Sequence, residues 1–420
     1  MPEILSTFTD VTAELDRRRF ISLGFERIEA LLAALGNPER NLRVVQVVGT
    51  NGKGTTSVAL SAAFEVAGET TGTYLSPHVL SYTERVRLRG EQVSEEAFTD
   101  GMGRVISVAD KLGIGVTQFE LLTAGALVMF RDAGVTWAVM EAGLGARYDA
   151  TTVAGPEAVV LTNVAMDHTQ YLGDTIEEIA AEKLASVPEG GALILGTEDP
   201  VVVGLARSRC EAVPARLLRA KSYLQKNEIG IENLPRHVLC NVRLGCAAAE
   251  ILLERPPFPK EEFVRVAEAV SGSLSGRFEV VRFEGTDIVL DGGHNVAGLE
   301  ATLQAVRESH SSERIGVVFG VLRDKNIEGM LELLREVASP LVLTHPNDER
   351  AAEPQSVFDA FEAGGYPGRV VVEPEISKAL RLAVDETKSG GGEVVLVTGS
   401  FTTVAGAKRY LSGLTETEGS

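Results

Sequence analysis

Continuous runs of apolar residues alternate along the chain with longer segments whose apolar positions recur at helical spacing. The apolar runs cover residues 44–48, 158–162, 192–195, 315–321 and 394–398. Strands that are buried on both faces, as in a parallel sheet covered by helices, have this continuous pattern. The alternation predicts an α/β protein assembled from βαβ units.

Capping residues predict where three of the helices begin. Ser94 stands before two glutamates, Thr117 has Glu120 three residues later, and Asp174 has Glu177 at the same spacing. A hydroxyl or carboxylate at the first position accepts a backbone N–H of the first turn, and the acid three residues later returns a contact. We therefore expect helices to start at these positions.

The length and the small-residue segments predict the domain organisation. A chain of 420 residues favours two or three domains. Small residues at 271–276 precede two extended segments, FEVVRF and DIVL, that are joined by a short turn and predict a β-hairpin. We expect residues 1–272 to form one domain and residues 273–420 a second, smaller one. The polar stretch 220–236 is another linker candidate.

The composition restricts the class of protein and its partners. With 44% hydrophobic and 24% charged residues, the chain is expected to fold as a globular protein. The 40 Lys and Arg residues against 59 Asp and Glu residues give a net charge of −19. This charge would repel a polyanion, so we expect no nucleic-acid partner.

The cysteines and the apolar stretches indicate the compartment. Cys210, Cys240 and Cys246 form neither an even set nor a CxxC pair, so we expect buried, unreactive thiols in a reducing compartment. The longest apolar stretch, residues 121–130, is far short of the roughly 20 residues of a membrane span. The N-terminal MPEILSTFTD lacks the basic and apolar segments of a signal peptide. We expect a cytoplasmic protein without membrane partners, and a monomer by default.

The strongest local motif is a glycine-rich loop between a predicted strand and a predicted helix, in VVQVVGTNGKGTT. Glycines let backbone N–H groups converge on a phosphate, the helix N-terminus favours the negative charge, and a lysine adds a cation. The loop departs from GxxxxGK[ST], because Val47 replaces the first glycine and Gly54 separates Lys53 from Thr55. A glycine-rich turn without a ligand is the alternative. The candidate phosphate-binding residues are Thr50, Asn51, Gly52, Lys53, Gly54 and Thr55.

Further motifs follow the loop in a fixed order. They are SPH (76–78), YTERVRL (82–88), EAGLGARYDAT (141–151), MDHTQYLG (166–173), SGRFE (275–279), LDGGHN (290–295), GVLRDKNI (320–327) and VTGSF (397–401). Together they resemble the Mur ligase superfamily, and within it folylpolyglutamate synthase/dihydrofolate synthase, over about residues 21–405. The resemblance implies a P-loop NTPase-like N-terminal domain with a parallel-rich sheet, and a smaller Rossmann-like C-terminal α/β domain.

The same resemblance implies an ATP-dependent ligase that joins L-glutamate to dihydropteroate or to a folate. A carboxylate is a poor electrophile, so the γ-phosphoryl group of ATP is transferred to it, and the amine of glutamate attacks the resulting acyl phosphate. Charge develops on the transferred group, so positioned cations matter more than a protein nucleophile. The expected cofactors are ATP and Mg²⁺, and the expected partners are small-molecule substrates.

Roles of individual residues are also implied by the resemblance. The implied Mg²⁺ ligands are Ser76, Glu141 and His168. The implied catalytic residues are Lys53, His294 and Lys183, the last matching a lysine that is carbamylated in related ligases. Outside the loop, the implied nucleotide contacts are Asn241, Arg277 and Asp291, with Asn295 as a supporting candidate.

Three segments are implied to bind the pteroate group. They are Ser22, Leu23 and Gly24, then Thr117, Gln118, Phe119 and Glu120, then Tyr148, Asp149 and Ala150. A capping box explains Thr117 and Glu120 equally well, and a turn explains Asp149. Ser22 stands where the bifunctional bacterial pattern has an acid, Ala146 replaces a glycine, and Thr152 replaces an asparagine. These departures leave open whether both ligations occur.

Two other functions fit parts of the sequence. A Mur-type ligase of cell-wall precursor synthesis would have Ser or Thr directly after the loop lysine and an N-terminal UDP-binding domain, for which little room precedes Gly49. A non-catalytic, nucleotide-sensing P-loop protein would leave Arg277 and Asp291 unused, and no NKxD motif follows the loop.

Overall fold

The structure is a computed structural model that describes residues 6–220, 234–310, 315–362 and 368–413. Most of the linker candidate at 220–236 lies outside these residues. The chain divides into two compact units. The first comprises Met1–Ala165, Thr169–Glu232 and Val238–Ser271, and the second comprises Met166–His168, Asn233–His237 and Gly272–Ser420.

An eight-stranded sheet forms the centre of the first unit as far as the described residues show. Its strands are β1 (Arg43–Val48), β2 (Thr71–Tyr74), β3 (Val86–Leu88), β4 (Glu91–Gln92), β5 (Trp137–Glu141), β6 (Ala158–Leu161), β7 (Ala192–Leu195) and β8 (Arg216–Arg219). Their order is β4-β3-β2-β5-β1-β6-β7-β8, and neighbouring strands from β2 to β8 are parallel. The apolar runs predicted as buried strands are confirmed in β1, β6 and β7.

Helices cover both faces of this sheet, as an α/β architecture requires. They are α1 (Phe8–Arg17), α2 (Glu26–Ala34), α3 (Lys53–Val66), α4 (Glu95–Leu112), α5 (Gln118–Asp132), α6 (Thr169–Leu172), α7 (Ile176–Leu184), α8 (Pro200–Ala212), α9 (Arg236–Leu252) and α10 (Lys260–Ser271). Short 3₁₀ helices occupy Pro38–Asn41, Tyr82–Arg85 and Ala150–Ala154. Helix α3 is buried from Gly54 to Phe64, because sheet and helices enclose it.

Two of the predicted helix starts are confirmed. The hydroxyl of Ser94 accepts the N–H of Ala97 at the start of α4, at 3.1 Å. At the start of α5, Thr117 accepts the N–H of Glu120 at 3.2 Å, and the Glu120 carboxylate accepts the N–H of Thr117 at 2.7 Å. The second pair is the reciprocal capping box that the spacing predicts.

The third predicted start is wrong by one residue. Thr175, not Asp174, caps α7, since its hydroxyl accepts the N–H of Glu178 at 3.2 Å. Asp174 instead donates its own N–H to the Glu178 carboxylate at 2.8 Å. Thr175 has extended backbone angles that direct its hydroxyl at the first turn, and the sequence does not distinguish two adjacent capping residues.

The second unit contains a six-stranded sheet among its described residues. Its strands are β9 (Glu279–Phe283), β10 (Thr286–Leu290), β11 (Ile315–Phe319), β12 (Ala338–Leu343), β13 (Val370–Val372) and β14 (Val394–Thr398), in the order β13-β12-β11-β14-β10-β9. Strands β9 and β10 form the predicted antiparallel hairpin, and the other pairs are parallel. The helices are α11 (Val296–Ser309), α12 (Ile327–Val337), α13 (Pro354–Glu362), α14 (Ile376–Ser389) and α15 (Phe401–Leu411).

Two other expectations concern the cysteines and membranes. All three cysteines are free; Cys210 and Cys246 are buried as expected, but Cys240 is exposed on α9, so the expectation of burial is wrong there. In the described part of the chain, no helix combines the length and the apolar character needed to cross a bilayer.

Candidate active site

The glycine-rich loop connects β1 to α3 and is held by residues that follow β6. Thr50 donates its N–H to the carbonyl of Asn163 at 3.0 Å, and Asn51 donates its N–H to the Asn163 side chain at 3.0 Å. The Asn163 amide returns a bond to the Asn51 carbonyl at 2.9 Å. Strands β1 and β6 are parallel neighbours, so their carboxyl ends bring these segments together. The loop therefore has a fixed backbone.

Two glycines of the loop are required by close contacts as well as by backbone conformation. A Cβ atom on Gly49 (φ +148°) would lie 1.9 Å from the Thr162 hydroxyl, and one on Gly52 (φ +78°) would lie 2.5 Å from the Asn241 side-chain amide. Asn241, a predicted nucleotide contact on α9, thus lies directly against the loop. Any side chain at Gly52 would fill this cradle.

Lys53 is the first residue of α3, and its ammonium group donates to the Thr50 carbonyl at 3.1 Å. The first N–H groups of a helix have no intrahelical acceptor, and the helix dipole makes this end attractive to anions. The loop backbone, the lysine and the helix end together form a site with the charge that a phosphate group needs.

Lys183 of α7 is also part of this loop structure. Its side chain is buried, and its ammonium donates to the Gly49 carbonyl at 2.9 Å. The structure thus brings two lysine ammonium groups to the carbonyls of two successive loop residues, Gly49 and Thr50. Carbamylation of Lys183 stays a prediction.

Two of the three implied metal ligands lie together in the first unit. Glu141 ends β5, is buried, and accepts the N–H of Ser76 at 2.9 Å. This pairing follows from the sheet, since β2 and β5 are parallel neighbours and Ser76 follows β2 by two residues. A carboxylate and a hydroxyl are the hard oxygen donors that Mg²⁺ prefers, so these two residues fit the ion.

The third implied ligand, His168, belongs to the second unit together with Asp167. Asp167 is surrounded by cationic and amide groups: the Lys325 ammonium at 2.7 Å, the Asn295 amide at 3.0 Å and the His294 Nε2 atom at 3.3 Å. Burial raises the pKa of Asp167, but the His294 hydrogen bond and the charges of His294, His168 and Lys325 outweigh it and hold the pKa well below its ordinary value. Asp167 is therefore ionised at neutral pH.

The group Asp167, His168 and His294 has the spacing of a possible metal site, with ligand atoms within 4.8 Å of one another. The Lys325 ammonium, however, already lies 2.7 Å from the Asp167 carboxylate. The Asp167 carboxylate thus already has a cationic partner, and we do not assign a separate metal centre to this group. His168 stays a predicted ligand of Mg²⁺.

Asp291 follows β10 and anchors two loops. One carboxylate oxygen accepts the N–H of Phe278 at 2.9 Å, and the other accepts the N–H of Gly293 at 2.9 Å and the Thr302 hydroxyl at 2.8 Å. These bonds fix the backbone directly after Arg277 and directly before His294. A direct contact of Asp291 with the nucleotide stays a prediction.

The implied pteroate segments converge around the start of α5. Arg27 contacts the buried carboxylate of Glu120 at 3.1 Å and donates to the Ser22 carbonyl at 2.8 Å, which joins the first segment to the second. The ring of Phe25, the residue directly after the first segment, lies 6.2 Å from the ring of Tyr148 in the third segment. Leu23 and Tyr148 are exposed. The three segments therefore form one surface with apolar side chains open to solvent.

Phe119 and Asp149 have different positions in this surface. A Cβ atom on Gly143 would lie 2.6 Å from the Phe119 ring, so the loop after β5 packs against that ring. The Asp149 carboxylate is buried and accepts the N–H groups of Gly143 at 2.8 Å and Leu144 at 2.9 Å. Burial raises the pKa of Asp149, although these bonds oppose the shift. Asp149 thus shapes the loop, as the turn interpretation expects, while Ala150 is buried behind it.

Four residues of this arrangement are not selected by the sequence patterns. Asp167 and Lys325 stand inside the quoted motifs MDH and GVLRDKNI, so a signal is present for them. Asn163 follows a buried strand, which is where polar site residues of α/β folds lie. Arg27 lies in none of the quoted motifs, and only its contact with Glu120 in the structure indicates that it belongs to this site.

Comparisons with known proteins agree with this geometry. Residues 47–229 match the Mur ligase middle domain, and residues 276–401 match the glutamate ligase domain of Mur ligases. A dihydrofolate synthase/folylpolyglutamate synthase of Bacillus subtilis is 30% identical over 92% of this chain and 95% of its own length. The corresponding Escherichia coli protein is 30% identical over 92% and 90%.

Solved structures give the same result. Mycobacterium tuberculosis folylpolyglutamate synthase complexed with ADP has a TM-score of 0.88 at 25% identity, covering 97% of this chain and 99% of that one. Escherichia coli FolC in complex with DHPP and ADP has a TM-score of 0.83 at 26% identity, covering 98% and 99%. A Yersinia pestis relative complexed with AMPPNP and Mn ion has a TM-score of 0.83 at 28% identity, covering 98% and 100%.

Proposed function

Because this chain belongs to the folylpolyglutamate synthase/dihydrofolate synthase family of Mur ligases, we propose specific residues for the reaction of that family. The chain is an ATP-dependent ligase that joins L-glutamate to folate precursors. The observation that carries the assignment of residues is the glycine-rich loop, with Lys53 and Lys183 bonded to its carbonyl groups and Asn241 against Gly52.

We assign the nucleotide to this loop. The N–H groups of residues 50–55 and the Lys53 ammonium would bind the phosphates, with Asn241 beside them. Relatives solved with ADP, or with AMPPNP and Mn ion, support binding of ATP and a divalent cation. Ser76 and Glu141 would hold that cation, which when bound would neutralise phosphate charge. His168 stays a predicted ligand of the cation, and Arg277 and Asp291 stay predicted nucleotide contacts.

The chemistry follows from the substrates. A carboxylate oxygen of the acceptor attacks the γ-phosphorus, and ADP leaves; the amine of glutamate then attacks the acyl carbon, and inorganic phosphate leaves. The Lys53 ammonium would stabilise the charge of the transferred group, and the catalytic role of Lys183 stays a prediction. The two ring nitrogens of His294 contact the Asp167 carboxylate and the Gly292 carbonyl at 3.3 Å and 2.9 Å, and a catalytic role for His294 stays a prediction.

The acceptor is assigned to the surface of residues 22–24, 117–120 and 148–150. A pterin ring is flat and apolar on its faces, and the exposed Tyr148 and Leu23 offer matching area. Domains at 1–272 and 273–420, a monomeric state, a cytoplasmic location and the lack of nucleic-acid and membrane partners stay predictions.

An ADP-release assay tests the function. Dihydropteroate, a tetrahydrofolate and a UDP-muramyl compound are each supplied with ATP and Mg²⁺, with and without L-glutamate. We expect glutamate-dependent ADP release with at least one of the two pterin acceptors. Release with the UDP-muramyl compound alone would favour the cell-wall ligase, and release with no acceptor would favour the sensor. Lys53→Ala should abolish release while the circular dichroism spectrum is retained.

A further inference from the structure

Arg277 lies in a short loop with an unusual backbone. Its neighbours Gly276 and Phe278 both have left-handed angles, with φ of +66° and +53°. Such angles are unfavourable for a phenylalanine and persist only where surrounding contacts enforce them. Here the Gly276 carbonyl accepts the N–H of Gly292 at 2.8 Å, and Phe278 donates its N–H to Asp291 at 2.9 Å. The backbone of Arg277 is thus held on both sides.

A lysine from α15 binds the same loop. The Lys408 ammonium lies 2.6 Å and 2.8 Å from the two carboxylate oxygens of Glu279, and it also contacts the Ser275 hydroxyl at 2.5 Å. Glu279 in turn accepts the N–H of Gly276 at 3.1 Å. Lys408 is about one-fifth exposed, so solvent screens this ion pair only partly. One ammonium group therefore joins both ends of the loop to a single helix.

The first residue of the same helix contacts the Arg277 side chain. The guanidinium carbon of Arg277 lies 5.1 Å from the centre of the Phe401 ring, within the range of a cation–π contact. The Gly292 backbone is pressed against this ring, since a Cβ atom there would lie 2.6 Å from it. The His294 ring lies 5.9 Å away. Phe401 is thus a common surface for three segments of the candidate site.

We propose that α15 positions Arg277 for the nucleotide phosphates, with Phe401 supporting the guanidinium and Lys408 anchoring the loop. Both are positioning residues, since they act through Arg277. The inference rests on the proposed role of Arg277 in nucleotide binding. A guanidinium that is already ordered loses less side-chain entropy when it binds phosphate, so the preset loop favours binding.

A double-mutant cycle on nucleotide affinity tests the proposal. The dissociation constant of ADP is measured by calorimetry for the full chain, for Arg277→Ala, for Lys408→Gln and for the double variant. We expect Arg277→Ala to weaken binding by about 10- to 100-fold, the loss typical of a charge-assisted contact. Lys408→Gln should weaken it by about 3- to 10-fold, and by less than twofold when Arg277 is already alanine.

Further variants separate positioning from general stability. Lys408→Arg, which keeps a cation opposite Glu279, should restore most of the affinity. Phe401→Leu should weaken ADP binding as Lys408→Gln does, whereas Phe401→Tyr should not. Lys378→Gln removes an exposed ion pair with Glu375 in the same unit and is the matched control with unchanged affinity.

The outcomes are distinguishable. If Lys408→Gln weakens binding equally with and without Arg277, its role is structural and the proposal is wrong. If Arg277→Ala weakens binding but neither Lys408→Gln nor Phe401→Leu does, the positioning role alone is wrong. If Arg277→Ala does not change the affinity for ADP, the proposed role of Arg277 in nucleotide binding is wrong, and so is the positioning role of Phe401 and Lys408.

Discussion

The ammonium nitrogen of Lys183 lies 2.9 Å from the carbonyl oxygen of Gly49, the first residue of the glycine-rich loop. Both groups are buried, and they come from segments 134 residues apart in the chain. A charged donor at the start of the loop fixes the direction of this carbonyl, whose partial negative charge would repel a phosphate if it pointed towards one. The contact thus connects α7 to phosphate binding.

Replacing Lys183 by methionine tests this connection, because the side chain keeps most of its length and loses its charge. Removal of the donor should cost about 1–3 kcal/mol of unfolding free energy. We also expect weaker ATP binding, as measured by calorimetry, because the loop loses one fixed end. Lys378→Met, at an exposed position, controls for the general effect of the substitution. An unchanged melting temperature together with unchanged ATP affinity would contradict the connection.

A Gly52→Ala variant tests whether Asn241 lies against the loop. At any position in the left-handed region, alanine lowers the free energy of unfolding by about 1–2 kcal/mol relative to glycine. At Gly52 the added Cβ atom would also contact the Asn241 amide. Gly68→Ala is the matched control, since Gly68 has φ +94° and a Cβ atom added there would have no neighbour within 4 Å. Gly52→Ala should therefore lower the free energy of unfolding by about 1–3 kcal/mol more than Gly68→Ala does, as overpacking typically does in protein cores. Equal losses in urea unfolding would place Asn241 away from the loop.

The buried pair Asp167–Lys325 predicts a pH dependence of stability. The pKa of Asp167 is lowered in the folded chain, so its contribution to stability is fully present above about pH 4 and is lost as the pH falls towards the folded pKa. Lys325→Met removes one cause of the lowered Asp167 pKa and leaves the buried Asp167 carboxylate with one cationic neighbour fewer. We expect a loss of about 3–5 kcal/mol at pH 7.

The measurement is urea unfolding between pH 3 and pH 8 without nucleotide or metal. Because the Asp167 pKa rises in Lys325→Met, the variant loses the stabilisation by Asp167 at a higher pH than the parent does. The difference in stability between the two should therefore shrink only once the pH falls below the folded pKa of Asp167 in the variant. A variant as stable as the parent at pH 7 would contradict the stabilising role of the pair. The exposed pair Lys378–Glu375 supplies the control variant Lys378→Met.

Arg27 is predicted to support acceptor binding, because it joins Ser22 to Glu120. Arg27→Met should raise the KM for the pterin acceptor about 5- to 50-fold, in line with the loss of a charge-assisted bond, and should leave the KM for ATP unchanged. Arg17→Met, on the exposed side of α1, is the comparison. A parallel rise in both KM values would mean that Arg27 stabilises the unit as a whole.

The extent to which the sequence predicts this molecule depends on how local each feature is. The buried strands, the β9–β10 hairpin and the Thr117 capping box are set by neighbouring residues, and they are confirmed. The sequence patterns do not single out Asp167, because its partners Asn295 and Lys325 lie 128 and 158 residues away. No local pattern encodes such a meeting, because it joins segments that are far apart in the chain.

The helix start at Thr175 is not predicted because two adjacent residues could each cap the helix. Asp174 and Thr175 are both good capping residues, and each has a glutamate three residues later. The backbone decides between them, since the extended angles fall on Thr175. The roles assigned to the site residues by resemblance stay predictions, although the structure gives many of them defined contacts.

The tripeptide Met166–His168 belongs to the second unit although about a hundred residues separate it from the main part of that unit, which begins at Gly272. A fragment beginning at Gly272 would bury Lys325 without the Asp167 carboxylate that neutralises it. During synthesis, therefore, Lys325 in the later half of the polypeptide pairs with Asp167, which lies in a segment that is synthesised much earlier. Expression of the two halves as separate pieces should yield a soluble later half only when the earlier half is supplied with it.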